Sequence, residues 1–298
     1  MLVDRSGSAR AVADRRAWHF PRFAPSGSRA AVGIGSGNAN TREGDLWSVD
    51  IATGVKLRVT SDGSSSRPAW TPDGESLLFS RRAAGRQVLA RVAGDGTAPP
   101  TTLLDQPGGV FEAGLTADGG TLVWRQDTPG TGTGRDILAM PVDTPSAARP
   151  VLQTRFDERG IAVGPVGDWL AYVSNESGRN EVYLRRLAPG SRRWPISRNG
   201  GTEPRWTRSG EVFFRKADSV FVARVALGAS PTDAPRIAEP TLLFTGRYQM
   251  LGFEPTWDAA PDGRTFLMVS TAGDAGPAVM LYANWIERWK RAALGAAR

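Results

Sequence analysis

The 298-residue chain has no cysteine, one histidine (His19) and three lysines (Lys56, Lys216 and Lys290). Without cysteine there is no disulfide and no thiolate metal site, and one histidine cannot build a His-rich metal centre. Any Ser-His-Asp triad would have to use His19, in "AWHFPRF", and no G-x-S-x-G elbow accompanies it, so a structural or surface histidine is expected there. The acidic residues follow no EF-hand spacing. No cofactor and no metal are therefore expected. Apolar runs never approach the roughly 18 residues of a membrane span, and "MLVDRSGSARAVADRR" carries no hydrophobic leader segment, which predicts a soluble chain. Acidic charge is also in short supply, at 30 Asp and Glu against 37 Lys and Arg, for a net charge of +7. The arginines are dispersed rather than blocked, which predicts a solvated surface more than a nucleic-acid interface.

Turn residues, by contrast, are plentiful: Gly 35 and Pro 21, scattered along the chain, fit many short strands better than a few long helices. A unit recurs: an apolar or aromatic strand, a Pro/Asp/Ser-Gly corner, then a second apolar strand. The copies are "PRFAPSGSRAAVGI" from Pro21, "RPAWTPDGESLLFS" from Arg67, "FEAGLTADGGTLVW" from Phe111, "IAVGPVGDWLAYVS" from Ile161, "PRWTRSGEVFFR" from Pro204 and "EPTWDAAPDGRTFLMV" from Glu254. The spacing, about 43 to 50 residues, is that of four-stranded propeller blades. Third strands are expected at "DLWSVDI", "QVLARVA", "DILAMPV", "EVYLRRL", "SVFVARV" and "AVMLYANW", and shorter fourth strands at "VKLRVT", "TTLLD", "RPVLQT", "RWPIS" and "PTLLF".

The expected fold is thus all-β: a six-bladed propeller of four-stranded antiparallel blades, in a single domain over residues 1–298, with blades starting near 20, 67, 111, 161, 204 and 254. The sixth unit lacks a fourth strand, and the orphan strands "LVDR" and "ARAVA" precede the first, so the N-terminal residues are expected to close the last blade and remove an open sheet edge. The opening also reads like the trimmed end of a longer protein. Over 284–298, Trp285, Ile286, Trp289 and Ala293 fall at helical spacing, predicting a short C-terminal helix packed on the ring.

The P-D-G corners and "DLWSVDIATGVKLRVTSDGSSSRPAWTPDGESLLFS" resemble the TolB-like, WD-type repeats of bacterial β-propellers. "RFDERGIAVGPVGDWLAYVSNESGRNEVYLRRL" with "GGTEPRWTRSGEVFFR" is similar to the propeller that follows the kinase domain and membrane helix of some bacterial receptor-like Ser/Thr kinases, and "LVDRSG" and "LYANWIERWK" fit that propeller too. The resemblance spans nearly the whole chain and implies a sensory or protein-interaction module without catalysis of its own. It also implies a position outside the cytoplasmic membrane if the chain belongs to such a kinase, and a cytoplasmic one otherwise. The kinase Gly-rich loop, His-Arg-Asp and Asp-Phe-Gly motifs are not in this sequence.

Candidate site residues follow from the repeat. Glu112, Glu203 and Glu254 fall just before or within innermost strands, whose side chains a propeller turns toward its axial mouth, and so do Arg22, Arg67 and Arg205. This mixed-charge ring is the expected surface for a protein partner or small ligand on a monomeric chain; interblade salt bridging is the plainer role. The alternative is a hydrolase or lyase acting on glycans or peptides with the channel carboxylates. "GIGSGN" from Gly33 and "GTGTG" from Gly130 lack the context of phosphate loops and read as connections. "AYVSNESGRNEVYLRRL" is expected to be the hairpin between the second and third strands of the fourth blade, its serines unactivated for want of a nearby histidine.

Overall fold

The computed structural model describes residues 1–12, 17–35, 43–127, 132, 134–228, 230, 233–250 and 255–270. Among these, six antiparallel blades form the fold, with one 3-10 turn at Pro145–Ala147 and no α-helix. No helix among the described residues is long and apolar enough to cross a membrane.

Blade I comprises Trp18–Phe23, Arg29–Gly35, Gly44–Asp50 and Lys56–Arg58, and blade II Ser65–Trp70, Ser76–Ala83, Arg86–Ala93 and Thr101–Leu104. Blade III comprises Val110–Leu115, Thr121–Asp127, Arg135–Pro141 and Arg149–Leu152, and blade IV Glu158–Val163, Trp169–Ser174, Glu181–Arg186 and Arg193–Pro195. Blade V runs Thr202–Trp206, Glu211–Lys216, Ser219–Ala226 and Thr241–Thr245; its third strand also pairs the two-residue strand Arg236–Ile237, which the repeat did not anticipate. The first strands touch one another in the order I–II–III–IV–V–VI–I, so the ring is closed.

In blade VI, Trp257–Ala259 and Thr265–Met268 are joined by Leu2–Asp4 and then Ala9–Arg10. The N-terminal residues therefore close the last blade, as expected, but Leu2–Asp4 fills the third position, where "AVMLYANW" was expected. The pairing is continuous, Leu2 with Leu267, Val3 with Phe266 and Asp4 with Thr265, and leaves the edge of Thr265–Met268 no free ladder for another strand. The "AVMLYANW" segment, the helix expected over 284–298 and Glu254 lie outside the described residues.

The apolar runs within the second strands have a simple cause: each blade is buried on both faces. In blade IV, Trp169, Ala171 and Val173 enter the core shared with blade V, while Leu170 and Tyr172 enter the core shared with blade III. Leu77 and Phe79 likewise face blade I, and Leu78 faces blade III. Six such cores close the circle; the one between blades VI and I is built on Phe23, Ala30, Ala260 and Leu267.

Each hairpin corner is built alike. The N–H groups of Ala24, Thr71, Thr116, Gly164, Thr207 and Ala260 donate to the carbonyls of Arg29, Ser76, Thr121, Trp169, Glu211 and Thr265. A glycine with φ between 63° and 79° follows in all six: Gly27, Gly74, Gly119, Gly167, Gly210 and Gly263. Glycine adopts this left-handed conformation without the penalty a Cβ would bring, so "GPVGDW" and "TRSGEV" keep the corner although they lack P-D-G.

Candidate functional site

Counting back from the corner N–H groups places the axial side chains on two levels rather than one ring. Four residues back stand Phe20, Arg67, Glu112, Gly160, Glu203 and Thr256; two residues back stand Arg22, Ala69, Gly114, Ala162, Arg205 and Asp258. Arg67, Glu112 and Glu203 thus share the first level, while Arg22 and Arg205 share the second with Asp258. A β-bulge interrupts the first strand of blades I to V near this point. Its extra residue is left-handed at Phe20 (φ 51°), Arg67 (52°), Gly160 (62°) and Glu203 (52°). For the three non-glycines this costs about 1–2 kcal/mol each, and a bulge of this kind re-aims the side chain that follows.

On the first level the carboxylates join neighbouring blades. Glu112 Oε2 accepts the Ile161 N–H of blade IV at 3.1 Å, and Oε1 lies 3.3 Å from Nε of Arg125, an arginine whose guanidinium lies over the Phe111 ring at 4.8 Å. Glu203 Oε2 accepts the Thr256 N–H of blade VI at 2.8 Å and lies 3.0 Å from its hydroxyl. That hydroxyl in turn accepts from Nη1 of Arg215, which also donates to the Gln249 carbonyl at 2.6 Å. Burial pushes the Glu203 carboxyl above its ordinary value; the Arg215 charge and the Thr256 N–H oppose the shift without cancelling it. Arg67 is held between two rings, with Phe20 at 5.2 Å and Phe111 at 5.5 Å.

On the second level Asp258 stands between two arginines. Its Oδ2 accepts the Phe23 N–H of blade I at 2.7 Å, and its Oδ1 lies 3.0 Å from Arg205 Nε and 4.0 Å from Arg22 Nη1. Both guanidinium groups also donate to the Trp257 carbonyl, Arg205 at 3.0 Å and Arg22 at 3.3 Å. Burial, reinforced by the Arg22 charge, pushes the Arg205 guanidinium down to about 9, which leaves it a cation at neutral pH.

The repeat located five of the six candidates on first strands, and it missed the residues that answer them. Asp258 was legible by counting from the corner glycine. Arg125 and Arg215, on second strands, had a fainter signal: each ends an apolar run, in "TLVWR" and "EVFFR". His19 lies on the first strand of blade I with its ring 6.0 Å from that of Phe20. The stretch from Asn175 to Asn180 is the blade IV hairpin, where the Gly178 N–H donates to the Asn175 carbonyl at 2.9 Å and the Ser174 hydroxyl accepts the Glu176 N–H at 3.2 Å. Among the described residues no three His, Asp or Glu side chains are grouped to hold a metal ion.

No family model matches the chain. Solved structures do match it: a protein designated TolB from Agrobacterium tumefaciens superposes with a TM-score of 0.68 at 17% identity, covering 91% of this chain and 97% of that one. The fold is that of a TolB-like propeller. TolB from Acinetobacter baumannii gives a TM-score of 0.54 at 16% identity, over 75% of this chain and 56% of that one. An oligogalacturonate lyase in complex with manganese reaches 0.54 at 13% identity, over 83% and 69%. TolB-like propellers therefore share their architecture with an enzyme, and the fold by itself selects no chemistry.

Proposed function

We propose that the chain is a non-catalytic propeller that binds a protein or small ligand at its axial mouth, as the sensory or interaction module of a bacterial signalling protein. Arg22, Arg67, Glu112, Glu203, Arg205 and Glu254 are the residues assigned to that mouth. The observation that carries the reading is the state of the carboxylates: Glu112 and Glu203 are each engaged by a backbone N–H of the next blade. A general acid or nucleophile needs a carboxyl presented to substrate, whereas these two hold blades together. The TolB-like fold and the resemblance of residues 155–215 to receptor-kinase propellers support the same reading. The position would then be extracytoplasmic.

The test pairs capture with turnover. The immobilised chain is expected to retain a partner that an Arg22→Glu, Arg67→Glu variant of native circular dichroism loses. Turnover of a glycan or peptide panel, abolished by Glu112→Gln or Glu203→Gln in a folded variant, would replace this reading with the hydrolase or lyase one.

A further inference from the structure

Blades V and I flank blade VI, and each sends one arginine to the same two acceptors, the Trp257 carbonyl and Asp258 Oδ1. The acceptors do not suffice. The other oxygen of Asp258 is taken by the Phe23 N–H, so two guanidinium charges share one half-engaged carboxylate. Burial also pushes that carboxyl upward against the pull of both arginines.

The arginines differ in exposure. The Arg205 side chain is 7% exposed; that of Arg22, at 20%, reaches solvent. Arg205 donates through Nε to the acceptors above and through Nη1 to the Pro204 carbonyl at 2.5 Å. Its Nη2 is buried and has no hydrogen-bond partner among the described residues. A buried donor left unmade is costly, the more so on a charged group, and such groups in native proteins ordinarily have a partner. On the first level both oxygens of Glu112 are engaged, by Ile161 and Arg125, and Oε2 of Glu203 by Thr256, and neither residue bonds Nη2 of Arg205.

We propose that the axial mouth takes an oxyanion, the carboxylate or phosphate group of its ligand, between the guanidinium groups of Arg22 and Arg205. Nη2 of Arg205 is the buried donor and Arg22 the solvent-side one. Planar guanidinium forks suit both anions, because each presents parallel N–H groups to two oxygens. The inference rests on the axial-mouth reading and adds a ligand chemistry to it.

Calorimetric titration of the full chain at low salt with inorganic phosphate, with hexaglutamate and with hexaglutamine tests it. Binding of phosphate or hexaglutamate, but not hexaglutamine, is expected, weakened at least tenfold by Arg22→Gln and unchanged by Arg224→Gln, whose side chain on the outer part of blade V is 86% exposed. Phosphate binding alone would assign a phosphate-bearing ligand; hexaglutamate binding alone would assign an acidic peptide. Arg205→Met is expected to abolish binding, and Arg22→Gln serves if that variant does not fold. Failure of both anions to bind, or equal weakening by Arg224→Gln, would overturn the oxyanion site. Hexaglutamine binding as well as hexaglutamate and losing affinity in Arg22→Gln would overturn the oxyanion too, while keeping the mouth as a binding surface.

Discussion

Glu158 offers the sharpest test of the electrostatics. It opens the first strand of blade IV, is 1% exposed, and has Oε1 bonded to the Thr154 hydroxyl at 2.6 Å while Oε2 is buried without a hydrogen-bond partner. Burial, with smaller contributions from the charges of Asp136, Glu176 and Asp157, raises its carboxyl from 4.5 to about 7; the Thr154 bond works against the rise. The folded state therefore holds this proton through a range where the unfolded chain has released it. The unfolded state then binds fewer protons, so stability falls as pH climbs from about 4.5 to 7. At about 1.4 kcal/mol per pH unit the loss is at most about 3.4 kcal/mol, and screening by the surrounding polar groups reduces it to about 1–3 kcal/mol. Glu158→Gln keeps an amide of the same shape and removes the titration. Urea unfolding at pH 4.5, 6 and 8 is expected to show the variant equal to the parent at the lowest pH and about 1–3 kcal/mol more stable at the highest. Glu203 and Asp258 are raised as well and slope the same way, but they are common to both proteins and cancel in the difference. Parallel pH profiles for the two proteins would refute the reasoning.

Two further outcomes probe the joints between blades. Glu203→Ala leaves the fully buried Arg215 without the carboxylate that favours its charge most and the Thr256 N–H without its acceptor, and is expected to cost about 3–5 kcal/mol in chemical unfolding; a cost below about 1 kcal/mol would mean that Glu203 contributes little to this joint. Val3→Asp puts a carboxylate into the core of blades V and VI, where Val3 is 0% exposed. It is expected to lower stability by at least about 3 kcal/mol and to produce oligomers on size exclusion, as the freed edge of Thr265–Met268 seeks a strand. Leu103→Asp, on the exposed outer strand of blade II, is the matched control and should melt like the parent.

The blades were legible because two signals coincide in the sequence: a corner glycine every 43 to 53 residues, and second strands with a continuous apolar stretch because both faces are covered. The third strand of blade VI was not. "AVMLYANW" is the stronger strand by composition, yet Leu2–Asp4 occupies the place, and a three-residue segment with only Val3 fully buried carries too little pattern to win that position on paper. The level of each charged residue along the axis was not legible for a related reason. Repeat spacing locates a first strand to within a residue or two, whereas level on the axis changes with every second residue, and the bulge at Phe20, Arg67 and Glu203 inserts one more. Partners such as Arg125 and Arg215 come from another strand, which no spacing rule within one strand can name.

The two themes, ring closure and ligand, meet at blade VI. Among the described residues the core between blades VI and I is built on Phe23, Ala30, Ala260 and Leu267, and the same seam is crossed at the axis by Asp258, bonded to Phe23 on one side and to Arg205 on the other. Polar contacts at the axis thus join blade VI to both of its neighbours. Arg5, from the closing N-terminal segment, adds paired 3.1 Å contacts to Glu211 of blade V, so the seam blade is tied to both neighbours by charge as well as by strand pairing. An oxyanion between Arg22 and Arg205 would span blades I and V across blade VI and relieve the excess of cations there. Binding and closure would then be linked, because a ligand that favours the closed ring stabilises it by RT ln(1 + [L]/Kd), about 2.7 kcal/mol at a hundredfold excess over Kd. On this account the joint that closes the ring is also the one best placed to respond to what enters the mouth.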